Sequence, residues 1–303
     1  MNLREYVFAY DFNGMPAGLA CCIPINSDRY YPHCNAPTDG LLSPIVMMSQ
    51  LITGLEVPAN ALVIGATGGI GLALVRHLLD HPGVSHVTAA ARHVEQSAGL
   101  DALLKAHPAR LHVTTADITD AISLQHLAGQ LQGHPLHLAI NATGLLHDAG
   151  LHPEKNLAAI TNSNLQQVFA VNAFGPILLA QALLPLMRHD WPAVFASLSA
   201  RVGSIGDNRL GGWYAYRAAK AAQNQFMKTV AIECRRTHPK LSVQLLHPGT
   251  VDSELSRPFQ RGVSAQQLFT PDYAARCLLD VLSTATADNT GRFIAWDGNE
   301  ITW

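Results

Sequence analysis

The feature that most constrains this chain is a glycine-rich turn set between an apolar strand and an apolar helix. Ala61-Leu62-Val63-Ile64 runs into Gly65-Ala66-Thr67-Gly68-Gly69-Ile70-Gly71, and Leu72-Ala73-Leu74-Val75 follows. Four apolar residues in succession suit a strand buried on both faces, as in a parallel sheet. Glycines let the backbone turn tightly. A helix starting there offers free N–H groups and a positive dipole end. The segment therefore reads as a strand–turn–helix unit built to hold a phosphate.

The same alternation continues downstream. Strands are expected at 61–64, 86–91, 111–115, 136–141, 193–198, 241–246 and 292–296, and helices at 70–80, 121–131, 165–188 and 214–237. Short apolar runs separated by amphipathic segments signal βαβ units. The expected fold class is α/β, a doubly wound parallel Rossmann sheet of six to seven strands in a single domain. Residues 1–58 show no sustained period and are rich in Pro, Asn, Asp, Tyr and Cys. The expected organisation is an N-terminal extension over 1–58 and a Rossmann domain over 59–303. Two readings of the extension stand. It is an arm anchored by Tyr6, Phe8, Tyr10, Phe12, Tyr30 and Tyr31, or a dispensable segment ahead of a start at Met47 or Met48.

Composition narrows the function classes. Of 303 residues, 48% are apolar and 14% charged, enough to bury a sizeable core. The formal net charge of −2 gives no electrostatic case for a nucleic-acid partner. The five cysteines are odd in number and form no CxxC pair, so neither a disulfide framework nor a metal site is expected. Arg4-Glu5 and Asp11 interrupt any signal-peptide pattern, and no unbroken apolar run reaches membrane-span length. A cytoplasmic protein without a membrane partner is expected.

The spacing Gly65-x-x-x-Gly69-x-Gly71 resembles that of the short-chain dehydrogenase/reductase family, with Ile64 where the family usually has Thr. The resemblance implies that Gly65, Thr67, Gly69, Ile70 and Gly71 hold the pyrophosphate of a nicotinamide dinucleotide. Further family elements follow in order. Asp117-Ile118 stands where the family contacts adenine. Asn141-Ala142-Thr143-Gly144 resembles its Asn-Asn-Ala-Gly, giving Asn141, Ala142 and Gly144 as cofactor residues. Pro248-Gly249-Thr250-Val251-Asp252-Ser253 resembles the segment over the nicotinamide, giving Pro248, Gly249, Val251 and Ser253. The second strand ends Ala91-Arg92, where members that bind NAD(H) usually carry an acid for the ribose hydroxyls. A guanidinium pairs with a 2′-phosphate, so NADP(H) is expected in preference to NAD(H).

Tyr216-Arg217-Ala218-Ala219-Lys220 carries the chemistry. Tyr and Lys four residues apart share a helix face. An adjacent ammonium and the cationic nicotinamide ring favour phenolate and are expected to bring the hydroxyl toward a useful range. By resemblance, Tyr216 is the proton donor or acceptor, Lys220 also holds the nicotinamide ribose, and Asn172 distorts its helix to position a proton-relay water. The family's serine is the departure. Aligning Gly203-x-x-Gly206 puts Ala200 at its place, with Ser199 adjacent and Ser204 farther along. Ser199 is the preferred candidate because it ends the strand; Ser204, or no serine, remains the alternative.

The stretch 199–220, with His247-Pro248-Gly249, is similar to the C-factor-like (cell-signalling protein) subgroup. The resemblance covers about 60–303 and implies hydride transfer between the nicotinamide and a small-molecule carbonyl or alcohol. The competing reading is a non-catalytic or weakly catalytic dinucleotide-binding signalling protein. Family habit makes a homodimer or homotetramer the expected assembly, on a surface that the insertion before Tyr216 alters. Apolar residues in 145–153 and 254–269 point to an apolar substrate or to a packed lid.

Overall fold

The computed structural model describes residues 50–264 and 266–303. The expectations for the aromatic anchors Tyr6, Phe8, Tyr10, Phe12, Tyr30 and Tyr31, for Met47 and Met48, and for Cys21, Cys22 and Cys34 lie outside the described residues. Seven strands form one parallel sheet: β1 Ala59–Ile64, β2 Val84–Ala91, β3 Leu111–Thr115, β4 Leu138–Asn141, β5 Ala193–Leu198, β6 Leu241–His247 and β9 Arg292–Ala295. Their spatial order is β3-β2-β1-β4-β5-β6-β9. A separate two-stranded ribbon pairs β7 Thr250–Val251 with β8 Leu268–Phe269. The order reverses between β1 and β4, and a doubly wound sheet opens a crevice above the strand ends at such a point.

Strand alternation builds two cores, one on each face of the sheet. Ala61, Val63, Leu138, Ile140, Val194 and Ala196 pack on one side with helices α1 Gly69–Asp80 and α7 Pro271–Ser283. Leu62, Ile64, Ala139, Ala193, Phe195 and Val243 pack on the other with α3 Ala121–Gln130, α5 Gly175–Leu183 and α6 Tyr214–Thr237. Full burial of one such large side chain stabilises by about 1.5–3 kcal/mol.

Three differences from the sequence expectation stand out. First, packing begins ahead of Ala59. Leu51, Ile52 and Leu55 are buried in the first core, and Thr53 N donates to Ser283 O at 3.0 Å. Second, α2 Ala98–Ala106 and α7 were not expected, although both are capped from the sequence. Ser97 accepts from Leu100 N, and Thr270 accepts from Tyr273 N with Pro271 in the first turn. Third, the helix expected over 165–188 is composite. It consists of α4 Asn162–Phe169, a π-helical turn Ala170–Phe174, α5, and a closing 3₁₀ turn Leu184–Met187. The run Asn162–Met187 is also long and apolar enough to pass for a membrane span, at mean hydropathy 1.7. Its Leu179, Ala180 and Leu183 are instead packed in the second core.

Candidate active site

The crevice at the strand reversal holds three joined cavities. The innermost, about 210 Å³, is lined by Gly65, Thr67, Arg92, Asp117, Ile118 and Gly144, among others. A second, about 450 Å³, runs along Gly69, Ile70, Gly71, Ala142, Lys220 and Ser253. The third, about 420 Å³, opens between residues 199–217 and 247–263. Tyr216 and Ser199 line both of the larger cavities.

The glycine turn is held by close backbone approaches. Gly65 sits at φ +86, and a Cβ there would lie 2.8 Å from Ala142 C, so the ends of β1 and β4 nearly touch. A Cβ on Gly71 would collide with Gly65 O. Helix α1 starts at Gly69 with no side-chain cap, leaving its first-turn N–H groups directed at the cavity. Arg92 is exposed, lines both inner cavities, and pairs with no carboxylate among the described residues. Asp117 lines the innermost cavity, and its Oδ1 accepts from Thr119 N and Oγ1 at 2.8 and 2.7 Å. Pro248, Gly249, Val251 and Ser253 line the outer cavity, and Pro248 and Ser253 also reach the middle one.

Two sequence-derived residues stand behind the wall. Asn141 is fully buried; its Nδ2 donates to Ser197 Oγ at 2.9 Å, and its Oδ1 accepts from Thr143. Asn172 lies in the π-helical turn, equally buried. Its Nδ2 donates to Leu145 O at 2.7 Å and Val168 O at 2.9 Å, and its Oδ1 accepts from Leu145 N at 3.1 Å. It pins the segment after β4 to the helix, which makes it a positioning residue.

Tyr216 and Lys220 share the inner face of α6. Lys220 is buried, its Nζ 5.8 Å from the Tyr216 ring centroid. Nζ donates to Leu198 O at 2.8 Å and Gln223 Oε1 at 2.9 Å. Gln223 Nε2 in turn donates to Ser197 Oγ at 2.7 Å. A buried chain Asn141–Ser197–Gln223–Lys220 thus ties β4 and β5 to α6. Burial pushes the Lys220 ammonium down to about 7. Burial also raises the Tyr216 hydroxyl above its ordinary value. The ammonium's share of the expected lowering is outweighed in the protein alone: Nζ bonds Leu198 O and Gln223 Oε1, and desolvation disfavours phenolate.

The serine candidates separate. Ser204 is buried off the cavities and accepts from Asp207 N at 3.1 Å. Ser199 Oγ donates to Asn224 Oδ1 at 2.6 Å, and Asn224 Nδ2 is buried without a partner among the described residues. Ala200 lines the outer cavity.

Sequence reasoning missed Glu154 and Trp213. Trp213 has φ 51, the one positive value outside glycine among the described residues. Such a conformation costs of order 1–3 kcal/mol. Its N–H donates to Glu154 O at 2.6 Å, while the buried Glu154 carboxylate accepts from Ala215 N at 3.1 Å. This clamp fixes the start of α6 one residue before Tyr216. It sets the indole against Phe259, with ring centroids 4.9 Å apart.

The short chain dehydrogenase family model matches residues 59–263, and the chain belongs to that family. It is 28% identical to the short chain dehydrogenase gsfK of Penicillium aethiopicum over 264 residues, 82% of this chain and 100% of that one. It is 32% identical to the C-signal protein of Myxococcus xanthus over 148 residues, 48% of this chain and 83% of that one. Among solved structures, it resembles an NADPH-bound carbonyl reductase from chicken fatty liver. The TM-score is 0.72 at 28% identity, covering 82% of this chain and 100% of that one. A carbonyl reductase of Pseudomonas aeruginosa in complex with NADP gives a TM-score of 0.67 at 25% identity, covering 81% and 100%.

Proposed function

We propose that this protein is an NADP(H)-dependent carbonyl reductase, with Tyr216 as proton donor. The observation that carries the reading is the placement of Tyr216 at the junction of the middle and outer cavities, beside Lys220. The residues present fit the cofactor. The uncapped first turn of α1 and the collision-tight Gly71 make a phosphate cradle, and Arg92 stands free of carboxylates for a 2′-phosphate. Two similar structures hold NADPH or NADP, which supports the same choice here. When bound, NADPH supplies the hydride for the carbonyl carbon.

The chain's own residues do the rest. The raised Tyr216 hydroxyl keeps its proton at neutral pH and is suited to donate it to the developing alkoxide. Lys220 lines the middle cavity with its Nζ near the Tyr216 ring, held by Leu198 O and Gln223, and carries its charge below about pH 7. Ser199 completes the site when the Asn224 amide turns through half a rotation. Nδ2 then donates to Ser199 Oγ and frees the hydroxyl proton for the substrate oxygen, which also partners the orphaned Nδ2. NADPH absorbance followed with a panel of ketones, aldehydes and quinones tests the function.

A second reading, a dinucleotide-binding signalling protein with little turnover, is favoured by Ala200 at the wall and by the commitment of the Ser199 proton to Asn224. NADPH binding without consumption across the panel would select it.

A further inference from the structure

The outer cavity is two-sided in character. Leu146, Val202, Trp213, Leu255, Phe259 and Val263 give it an apolar wall. Its rim carries three guanidiniums, Arg201, Arg209 and Arg217, against the single carboxylate of Asp207.

The three arginines are not equivalent. Arg217 is structural: its Nε donates to Gly211 O and Gly212 O, and Nη1 to Val202 O. Arg201 shares Asp207 at 3.3 Å, with both side chains about half exposed. Arg209 is exposed and pairs with no carboxylate among the described residues. His247 adds a donor. Its Nδ1 accepts from Arg201 N at 3.3 Å, so the neutral ring carries its proton on Nε2. Burial, reinforced by Arg201 and opposed by Asp297, holds that ring down to about 4, and it is uncharged at neutral pH. The polar side of the cavity thus offers donors and net positive charge.

Position adds a direction. Arg201, Arg209 and Leu210 line the outer cavity only, whereas Tyr216 lines both. The positive rim is therefore on the side away from the cofactor cradle. Leu210, 91% exposed, extends the apolar surface on the same loop.

We propose that the substrate is an apolar carbonyl compound bearing an acidic group, with its body against Trp213 and Phe259 and its anion at Arg209 and Arg201. The proposal rests on the reductase reading, since it assigns the carbonyl to the Tyr216 end. The guanidiniums stand at the solvent edge of the cleft, where a charge-assisted pair with a carboxylate is screened by salt, while the ligand's body gains from the apolar wall.

The test measures affinity of the protein loaded with NADP+, which has no hydride to transfer, for 4-acetylbenzoate and for its methyl ester by calorimetry, at low and high salt. Wild type should bind the carboxylate at least tenfold tighter than the ester, and added salt should shrink that ratio. In Arg209→Gln the ratio should fall at least threefold, and in the Arg209→Gln, Arg201→Gln double variant it should fall to about one. Equal affinities in wild type, a tighter ester, or a carboxylate preference that survives in the Arg209→Gln, Arg201→Gln double variant would overturn the proposal. So would failure of both compounds to bind. The reductase reading is checked separately by NADPH consumption with uncharged ketones. Its failure leaves the binding ratios readable, and the two outcomes are distinguishable.

Discussion

The two halves of the crevice are built differently. The cofactor half is made largely of backbone and of residues adjacent in sequence. Gly65 to Gly71 turn between β1 and α1, Arg92 directly follows β2, and Ala142 to Gly144 directly follow β4. The outer half is made of side chains from loops far apart in the chain: Leu146 after β4, Val202 to Trp213 before α6, and Leu255 to Val263 between β7 and β8. Strand ends of one sheet are fixed by the ladder, so a backbone cradle there is rigid and tolerates little change. Loops carry no such ladder, and they can vary in what they recognise while the chemistry stays in place. Tyr216 and Lys220 belong to neither style. They lie on α6, held by a buried hydrogen-bond chain and by the Glu154 clamp.

Substitutions can break this comparison. The largest effect is expected at the junction. Tyr216→Phe should lower kcat about a thousandfold, within the usual range for a lost general acid, while NADPH affinity by titration stays within twofold. Near-normal turnover would remove Tyr216 from the reaction. In the cofactor half, Arg92→Ala should weaken NADPH binding by about 1.5–3 kcal/mol, the scale of a charged hydrogen bond, and leave NADH binding little changed. Tighter NADH than NADPH binding by the wild type would refute the choice of cofactor.

At the boundary, Ser199→Ala should reduce kcat about tenfold. Ser204→Ala should instead cost about 1 kcal/mol of stability in denaturant unfolding, through the lost bond to Asp207 N. Indifference of turnover to both would leave the substrate oxygen to Tyr216 alone.

A pH dependence follows from Lys220. Lys220 is about 7 when folded and near 10.5 when free. If its ammonium supports reduction, kcat should decline as pH rises through about 7, well below the range of the Tyr216 hydroxyl. The same shift has an opposite sign for stability. Between about 7 and 10.5 the unfolded chain binds the proton and the folded one does not, so this group's contribution rises with pH across that window. Lys220→Met should remove that rise, as read from unfolding midpoints at several pH values.

Much of the fold was legible because its signals are local. The inner strands were readable as apolar runs, and the turn of Gly65 to Gly71 as a glycine pattern. Helix α7 is legible too, in the cap Thr270-Pro271-Asp272 and in the apolar stripe of Ala274, Ala275, Leu278 and Leu282 that follows it. The break in the long helix was implied by a resemblance at Asn172. Its cause is tertiary: that side chain bonds Leu145, 27 residues away.

The candidate site was legible where chemistry and spacing coincide, as at Tyr216 and Lys220, and illegible where a partner is remote. Nothing near Lys220 in sequence announces Ser197 or Asn141 as the far end of its network. A polar residue ending an apolar strand, such as Ser197, was the available hint. Glu154 gave less, being one carboxylate in a loop that reads as solvated. Only its burial beneath the start of α6 gives it a role.

By itself the sequence determined the sheet, the glycine turn between β1 and α1, and the placing of Tyr216 and Lys220 on one helix face, because strand period, glycine placement and a four-residue helical spacing act within a few residues of chain. The tertiary structure decided which candidates reach the cavity. It put Asn141 and Asn172 behind the wall, tied the Ser199 proton to Asn224, withdrew Ser204, and aimed Trp213 across the cleft. Those outcomes depend on burial and on hydrogen bonds between residues brought together from distant parts of the chain. No local pattern encodes them, because desolvation and partner geometry exist only once the chain has closed on itself.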